Sequence, residues 1–148
     1  MKKIVFGFAL VVSTSILAQA QDGKLYDAVV NNDMKKVEKL LKRNADPNVV
    51  LSMGVSEVSP LIMAIVKGNF EIVKLLVEHN AQVDYRDGFN STALMYAAHK
   101  GSKEIVEYLL SKGADAKAED GKGNTVLSAA KESKNAEVLA LIENKLNE

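Results

Sequence analysis

Apolar and polar positions along this chain return at a spacing of 33 residues. Leu61, Leu94 and Leu127 hold one phase of that pattern, and Ala64, Ala97 and Ala130 hold another. Gly68 recurs as Gly101, Val73 as Val106, and Asn80-Ala81 as Gly113-Ala114. A degenerate earlier copy lies 36 residues upstream, with Leu25, Ala28, Val37 and Asn44-Ala45 in the matching places. A period of roughly 20–50 residues marks a stack of small units, none able to bury its apolar side alone. Such a stack offers a surface for holding another molecule rather than a pocket for chemistry.

Each unit is predicted to be two short helices followed by an extended finger. In the third, Thr92 to Lys100 reads as the first helix, Gly101 breaks it, and Lys103 to Lys112 reads as the second. Ile105, Val106, Leu109 and Leu110 have the spacing of one buried helical face, and the paired Ala97-Ala98 let the next unit come close. Ser59, Thr92 and Thr125 stand where N-caps belong, their hydroxyls accepting from otherwise unpaired backbone N–H groups. Pro60 follows at the first helical position, where its missing donor costs nothing. Asn44, Asn80 and Gly113 end the second helices, and Asn32, Gly68 and Gly101 turn the chain between helices. Both sets are residue types that tolerate a left-handed backbone. Lys134 departs from that rule in the last unit.

These units resemble ankyrin repeats. One reads Ser59-Pro60-Leu61-Ile62, Ile72-Val73, Leu75-Leu76 and Asn80-Ala81. The next reads Thr92-Ala93-Leu94-Met95, Ala97-Ala98, Gly101, Ile105-Val106 and Gly113-Ala114-Asp115, and the last Asn124-Thr125-Val126-Leu127 with Ala129-Ala130. The resemblance runs from about Asp22 to Leu146. It implies an all-α ankyrin-repeat solenoid of about four helix-turn-helix repeats with β-turn or hairpin fingers, near residues 22–57, 58–90, 91–123 and 124–148. The family's helix-start histidine is replaced by Tyr26, Ile62, Met95 and Ser128. The end units are expected to act as caps. Lys35, Lys36, Lys39, Lys42 and Arg43 load the first with charge, and Lys131, Glu132 and Lys134 the last, as terminal repeats need for solubility.

At 148 residues the chain has room for one domain. Its first 20 residues read as something else: Lys2-Lys3, then an apolar run from Ile4 to Leu17, then Ala18-Gln19-Ala20. This is the pattern of a secretory signal peptide, cut after Ala20. The 14-residue run would reach only about 21 Å as a helix, short of a bilayer core of roughly 30 Å. No membrane span is expected in the mature chain, residues 21–148. With no cysteine anywhere, lipid attachment at the cleavage point and disulfide bracing are both excluded. The short signal and absent cysteines point to a bacterial exported protein, periplasmic or secreted. Removing Lys2 and Lys3 leaves 17 basic residues against 19 acidic ones, a net charge of −2. No basic stripe stands out, so nucleic acid is not an expected partner.

No catalytic, cofactor or metal constellation is legible, and the chain is expected not to be an enzyme. His79 and His99 are 20 residues apart in different units, without a second ligand type at metal spacing. Gly54-Val55-Ser56-Glu57-Val58 lacks the second glycine of a nucleophile elbow. Gly121-Lys122-Gly123 reads as a finger turn, and in Asp115 to Gly121 a lysine, Lys117, stands where a calcium loop needs oxygen. Asn90-Ser91-Thr92 is formally a glycosylation acceptor.

The residues expected to bind a protein partner are those the repeats do not need. On the concave side these are Met63, Val66 and Lys67, then Tyr96, His99 and Lys100, then Glu132; the finger leading into the third unit adds Tyr85, Arg86 and Phe89. The segment from Asn48 to Ser59 is unusual. It carries the three-residue insertion, lacks the Asp-Gly turn kept at Asp87-Gly88 and Asp120-Gly121, and is apolar at Val49, Val50, Leu51, Met53, Val55 and Val58. Insertions of this kind map to loops on one face of a repeat stack, and an exposed apolar patch marks an interaction site. The expected molecule is a monomeric binding module for one protein. A toxin neutralised by an immunity protein and a periplasmic stress-defence enzyme in need of support are two such partners. Self-association through the Asn48–Ser59 finger is the competing expectation.

Overall fold

The computed structural model describes residues 23–53 and 56–148, with the side chains of residues 51–56 outside that description. Met1 to Ala20, the segment expected to be a signal peptide, therefore lie outside the described residues, as does Val55. Eight helices follow one another in pairs among the described residues. They are α1 (23–30) and α2 (Met34–Leu41), α3 (Pro60–Lys67) and α4 (Phe70–Glu78), α5 (Ala93–Lys100) and α6 (Lys103–Ser111), α7 (Val126–Glu132) and α8 (Ala136–Leu146). First helices pack on first helices, α3 on α5 on α7, and second helices on second helices, α2 on α4 on α6 on α8.

The alignment of small and large apolar residues explains the stack. Ala28, Ala64, Ala97 and Ala130 have no exposed surface, and neither do Val37, Val73 and Val106. Leu25, Leu61 and Leu94 are sealed in the same way, whereas Leu127, in the terminal unit, is only half-buried. A methyl group at the alanine positions is all the space between adjacent first helices allows, and the leucines fill the gap toward the second helices.

Helix ends follow from residue chemistry at both termini. Ser59, Thr92 and Thr125 accept from Ile62 N at 3.3 Å, Met95 N at 3.4 Å and Ser128 N at 3.1 Å. Ser128, standing where the family has histidine, returns the favour: its Oγ accepts from Thr125 N at 2.9 Å and completes a capping box. Every residue expected to turn left-handed does so, and Lys134, the departure in residue type, takes the same conformation. The inter-helix turns at Asn32, Gly68, Gly101 and Lys134 have φ of 59, 75, 68 and 58°, and Asn44, Asn80 and Gly113 have φ of 61, 70 and 86°. At Gly101 the lack of a side chain matters twice, because a Cβ there would also sit 3.2 Å from Asn135 Cβ.

Polar contacts between units repeat with the same period. Asn48 Oδ1 accepts from Gln82 N at 2.7 Å, and its counterpart one unit on, Asp84 Oδ1, accepts from Asp115 N at 2.9 Å. Across the helix turns, Asn69 Nδ2 donates to Asn32 Oδ1 at 2.7 Å and Asn135 Nδ2 to the Gly101 carbonyl at 2.9 Å. On the outer side, Phe70 of α4 meets Tyr108 of α6 edge-on at 5.5 Å.

The fingers differ from one another. The inserted segment forms a short hairpin, β1 (Leu51–Met53) antiparallel to β2 (Ser56–Val58), with Leu51 opposite Val58 and Met53 opposite Ser56. Numbered by the helix pair that each one leads into, the third finger (81–91) is a turn without strands, and the fourth (114–125) closes with a single bridge, Glu119 to Thr125.

Candidate binding surface

Finger shape is set by two buried or half-buried aspartates at the same place in their repeats. Asp87 Oδ1 accepts from Phe89 N and Ser91 N, both at 2.9 Å, and Asp120 Oδ1 accepts from Lys122 N at 2.7 Å and Asn124 N at 2.9 Å. Their second oxygens diverge. Asp87 Oδ2 takes the Tyr96 hydroxyl at 2.7 Å, while Asp120 Oδ2 takes Asn124 Nδ2 at 2.8 Å. The Asn124 amide, foremost, holds the Asp120 carboxyl below its ordinary range, and burial followed by the Asp87 bond pushes the Tyr96 phenol well up. Tyr96 is thus a strut for the third finger as well as part of the concave face.

Arg86 has a comparable double position. Its side chain is exposed, yet its guanidinium donates to the Asn90 carbonyl at 3.1 Å and the Glu119 carbonyl at 2.8 Å, tying the third finger to the fourth. Gly121 N donates to the Phe89 carbonyl at 3.2 Å and adds a second tie. Lys100 Nζ reaches back to the Val66 carbonyl at 3.0 Å. His99 Nδ1 lies 3.2 Å from Glu132 Oε2 across α5 and α7, both side chains more than half exposed.

A groove of about 390 Å³ runs between the third and fourth fingers over the first helices. Met95 and Tyr96 of α5 and Ser128 and Ala129 of α7 form its floor. Phe89, 49% exposed, stands on one wall, Asp120, Lys122 and Asn124 on the other, and His99 with Glu132 at the rim. The groove brings together four of the expected binding residues, Phe89, Tyr96, His99 and Glu132. Val66, 42% exposed, and half-buried Met63 continue the concave face on α3, and half-buried Tyr85 leads into the third finger. Val50 is half-buried at the base of the hairpin, while Leu51 and Met53 occupy β1, outside the described side chains. Val58 is half-buried against the core.

Lys122, Ser128 and Ala129 were missed as groove residues from the sequence. The signal was present in the repeat itself. Where the second and third units carry Ile62-Met63 and Met95-Tyr96, the fourth carries Ser128-Ala129, and the deficit in volume leaves the slot open. His79, by contrast, is the helix-end residue expected, its Nδ1 2.8 Å from the Leu75 carbonyl at the end of α4. Among the described residues no three His, Asp or Glu side chains converge as metal ligands would, and no helix is long and apolar enough to cross a membrane.

The family profile described as "Ankyrin repeats (3 copies)" matches residues 25–120, nearly two thirds of the chain. The chain belongs to the ankyrin repeat family. The match ends before α7 and α8, which the structure adds as a fourth stacked pair. Among similar curated proteins are Ankyrin repeat and SOCS box protein 2 from Homo sapiens, Rattus norvegicus and Mus musculus. Each is 42% identical over 60 residues, 40% of this chain and 8% of the relative. The chain thus spans a small fraction of those proteins' length. Its ankyrin repeats are a protein–protein interaction module.

Proposed function

We propose that this ankyrin-repeat chain is an exported, non-catalytic adaptor that holds one protein partner on its concave face and fingers. The observation that carries the reading is the open groove between the third and fourth fingers, which contains half-exposed Phe89 and joins a ridge of half-buried Met63 with exposed Val66 and His99. An exposed aromatic beside an apolar floor is the setting in which binding hot spots occur. Export to a bacterial periplasm is the reading of Met1 to Ala20. Within that compartment, neutralising a toxin and supporting a stress-defence enzyme are the two roles that suit such an adaptor. Catalysis is disfavoured because the candidate groups are bonded elsewhere: the Tyr96 hydroxyl donates to Asp87, and the Ser128 hydroxyl, in the groove with His99 and Glu132, is engaged with Thr125.

The test is affinity capture from native periplasm using the chain from Gln21 onward, with elution in stoichiometric amount as the expected result. A double change, Val50→Asp with Met53→Asp, reads the contribution of the hairpin: loss of capture with unchanged melting assigns the hairpin to the interface. Equal loss of capture and of stability makes it core. A periplasm that yields no retained protein at micromolar concentrations overturns the adaptor reading.

A further inference from the structure

Comparison of corresponding positions separates what the fold requires from what it merely tolerates. Phe89 and Lys122 occupy the same place in the third and fourth finger turns, and both donate their backbone N–H to the preceding aspartate. The turn forms equally with an aromatic or a lysine, so nothing in its backbone calls for Phe89. That side chain is nonetheless half exposed on the groove wall. On the floor the reverse has happened. Tyr96 and Ala129 correspond, and the fourth unit leaves empty the volume that a large side chain occupies in the third.

The charges around the slot are unevenly committed. Both Asp120 oxygens are taken up by the turn. Glu132 faces His99. The Lys122 ammonium makes no salt bridge among the described residues; its charge acts on the adjacent Asp120 carboxyl, whose oxygens the turn already holds, so the ammonium at the groove mouth has room for a further carboxylate. A volume of about 390 Å³ is at the small end of ligand clefts, enough for one large side chain and the backbone beside it.

We infer that the groove between the third and fourth fingers takes one large apolar side chain of an extended partner segment, supplying the bulk that Ser128 and Ala129 lack, with a neighbouring carboxylate of that segment on Lys122. This rests on the adaptor reading above and specifies its partner. The occupant is an aromatic or long aliphatic residue flanked by Asp or Glu, gripped between Phe89 and Met95.

The repeats themselves supply the test variants. Ala129→Tyr copies the third unit into the fourth and has Asp120 where Tyr96 has Asp87, so it fills the slot from within. Phe89→Lys copies the fourth finger tip into the third. The probe is N-acetyl-Phe-Glu-amide, titrated into isotopically labelled protein and followed by nuclear magnetic resonance shifts. Expected are saturable shifts confined to Phe89, Met95, Lys122 and Ala129, with a dissociation constant of about a millimolar, as suits so few atoms. N-acetyl-Phe-Lys-amide should bind about two- to five-fold more weakly, the scale of one exposed ion pair. N-acetyl-Ala-Glu-amide should produce no saturable shift. Ala129→Tyr should abolish the response, and Phe89→Lys, on an exposed tip, carries the same expectation should the first variant fold poorly. Equal shifts from the alanine peptide, or an undiminished response in both variants, would overturn the inference. Shifts that grow with protein concentration alone would assign the slot to a second copy and overturn it too. Capture of the natural partner by wild type and both variants alike would remove the groove from the interface while leaving the adaptor reading intact.

Discussion

The third and fourth repeats share a backbone plan but not a filling. Both open with a threonine N-cap, both brace a finger on an aspartate, and both turn left-handed between their helices. The third is complete: Leu94 is sealed, Tyr96 props its finger through Asp87, and glycine makes its turn. The fourth is thinner, with Leu127 half-buried, Ala129 in place of a tyrosine and a lysine in the left-handed turn. What the difference teaches is that the caps, the left-handed turn and the sealed alanine phase specify the repeat, while the side chains facing the groove are free to vary. The variation here produces a groove at the boundary where a full unit meets a thin one.

The largest way to sharpen this contrast is to cut into both cores. Leu94→Ala should cost about 3 kcal/mol, the scale for a sealed leucine, while Leu127→Ala should cost about half as much; urea unfolding measures both. Equal losses would make the fourth unit as tightly built as the third. Next come the inter-helix turns. Gly101→Val should lose about 2 kcal/mol, because a β-branched residue is forced left-handed and its Cβ crowds Asn135. Lys134→Gly should gain about 0.5 kcal/mol by relieving the same strain. No gain from that change would mean that the last turn relaxes on its own.

A smaller effect is expected at the finger brace. Tyr96→Phe strips one donor from the buried Asp87 carboxylate and should cost about 1 kcal/mol at neutral pH. The sign of its pH dependence follows from the raised phenol. A group whose pKa is higher folded than unfolded lends stability that is complete below its unfolded value, near 10, and is lost as pH climbs toward the folded value. Wild type should therefore lose stability between pH 9 and 11 more steeply than Tyr96→Phe, a difference that denaturant melts at those two pH values would reveal. The smallest effect is at the finger tip, where Phe89→Lys should leave stability within about 0.5 kcal/mol, as for an exposed position. A larger loss would return Phe89 to the core.

Local chemistry was legible in the sequence because it depends on near neighbours. The asparagines and glycines at the turns, the hydroxyl caps at Ser59, Thr92 and Thr125, and the alanine and leucine phases all stand in the structure as read. The surface was less legible because its residues answer to partners in other units. Arg86 is expected from the sequence only as a partner-binding residue, but its guanidinium is held by two backbone carbonyls, one of them 33 residues away, and a carbonyl leaves no trace in residue type. Tyr96 lies nine residues from the carboxylate that claims its hydroxyl. The groove required reading an absence of bulk at Ser128-Ala129 against earlier units. The apolar hairpin segment has the sequence of an exposed patch, and of its described side chains Val49, Val50 and Val58 are half-buried.

The hydrogen bonds from Asn48 to Gln82, Asp84 to Asp115, Asn69 to Asn32 and Asn135 to Gly101 each join a unit only to its immediate neighbour. A molecule bonded this way has no keystone. Damage at the C-terminal end should peel off as a local fray, with protection against amide exchange falling stepwise toward α8, while the units before it keep their shape.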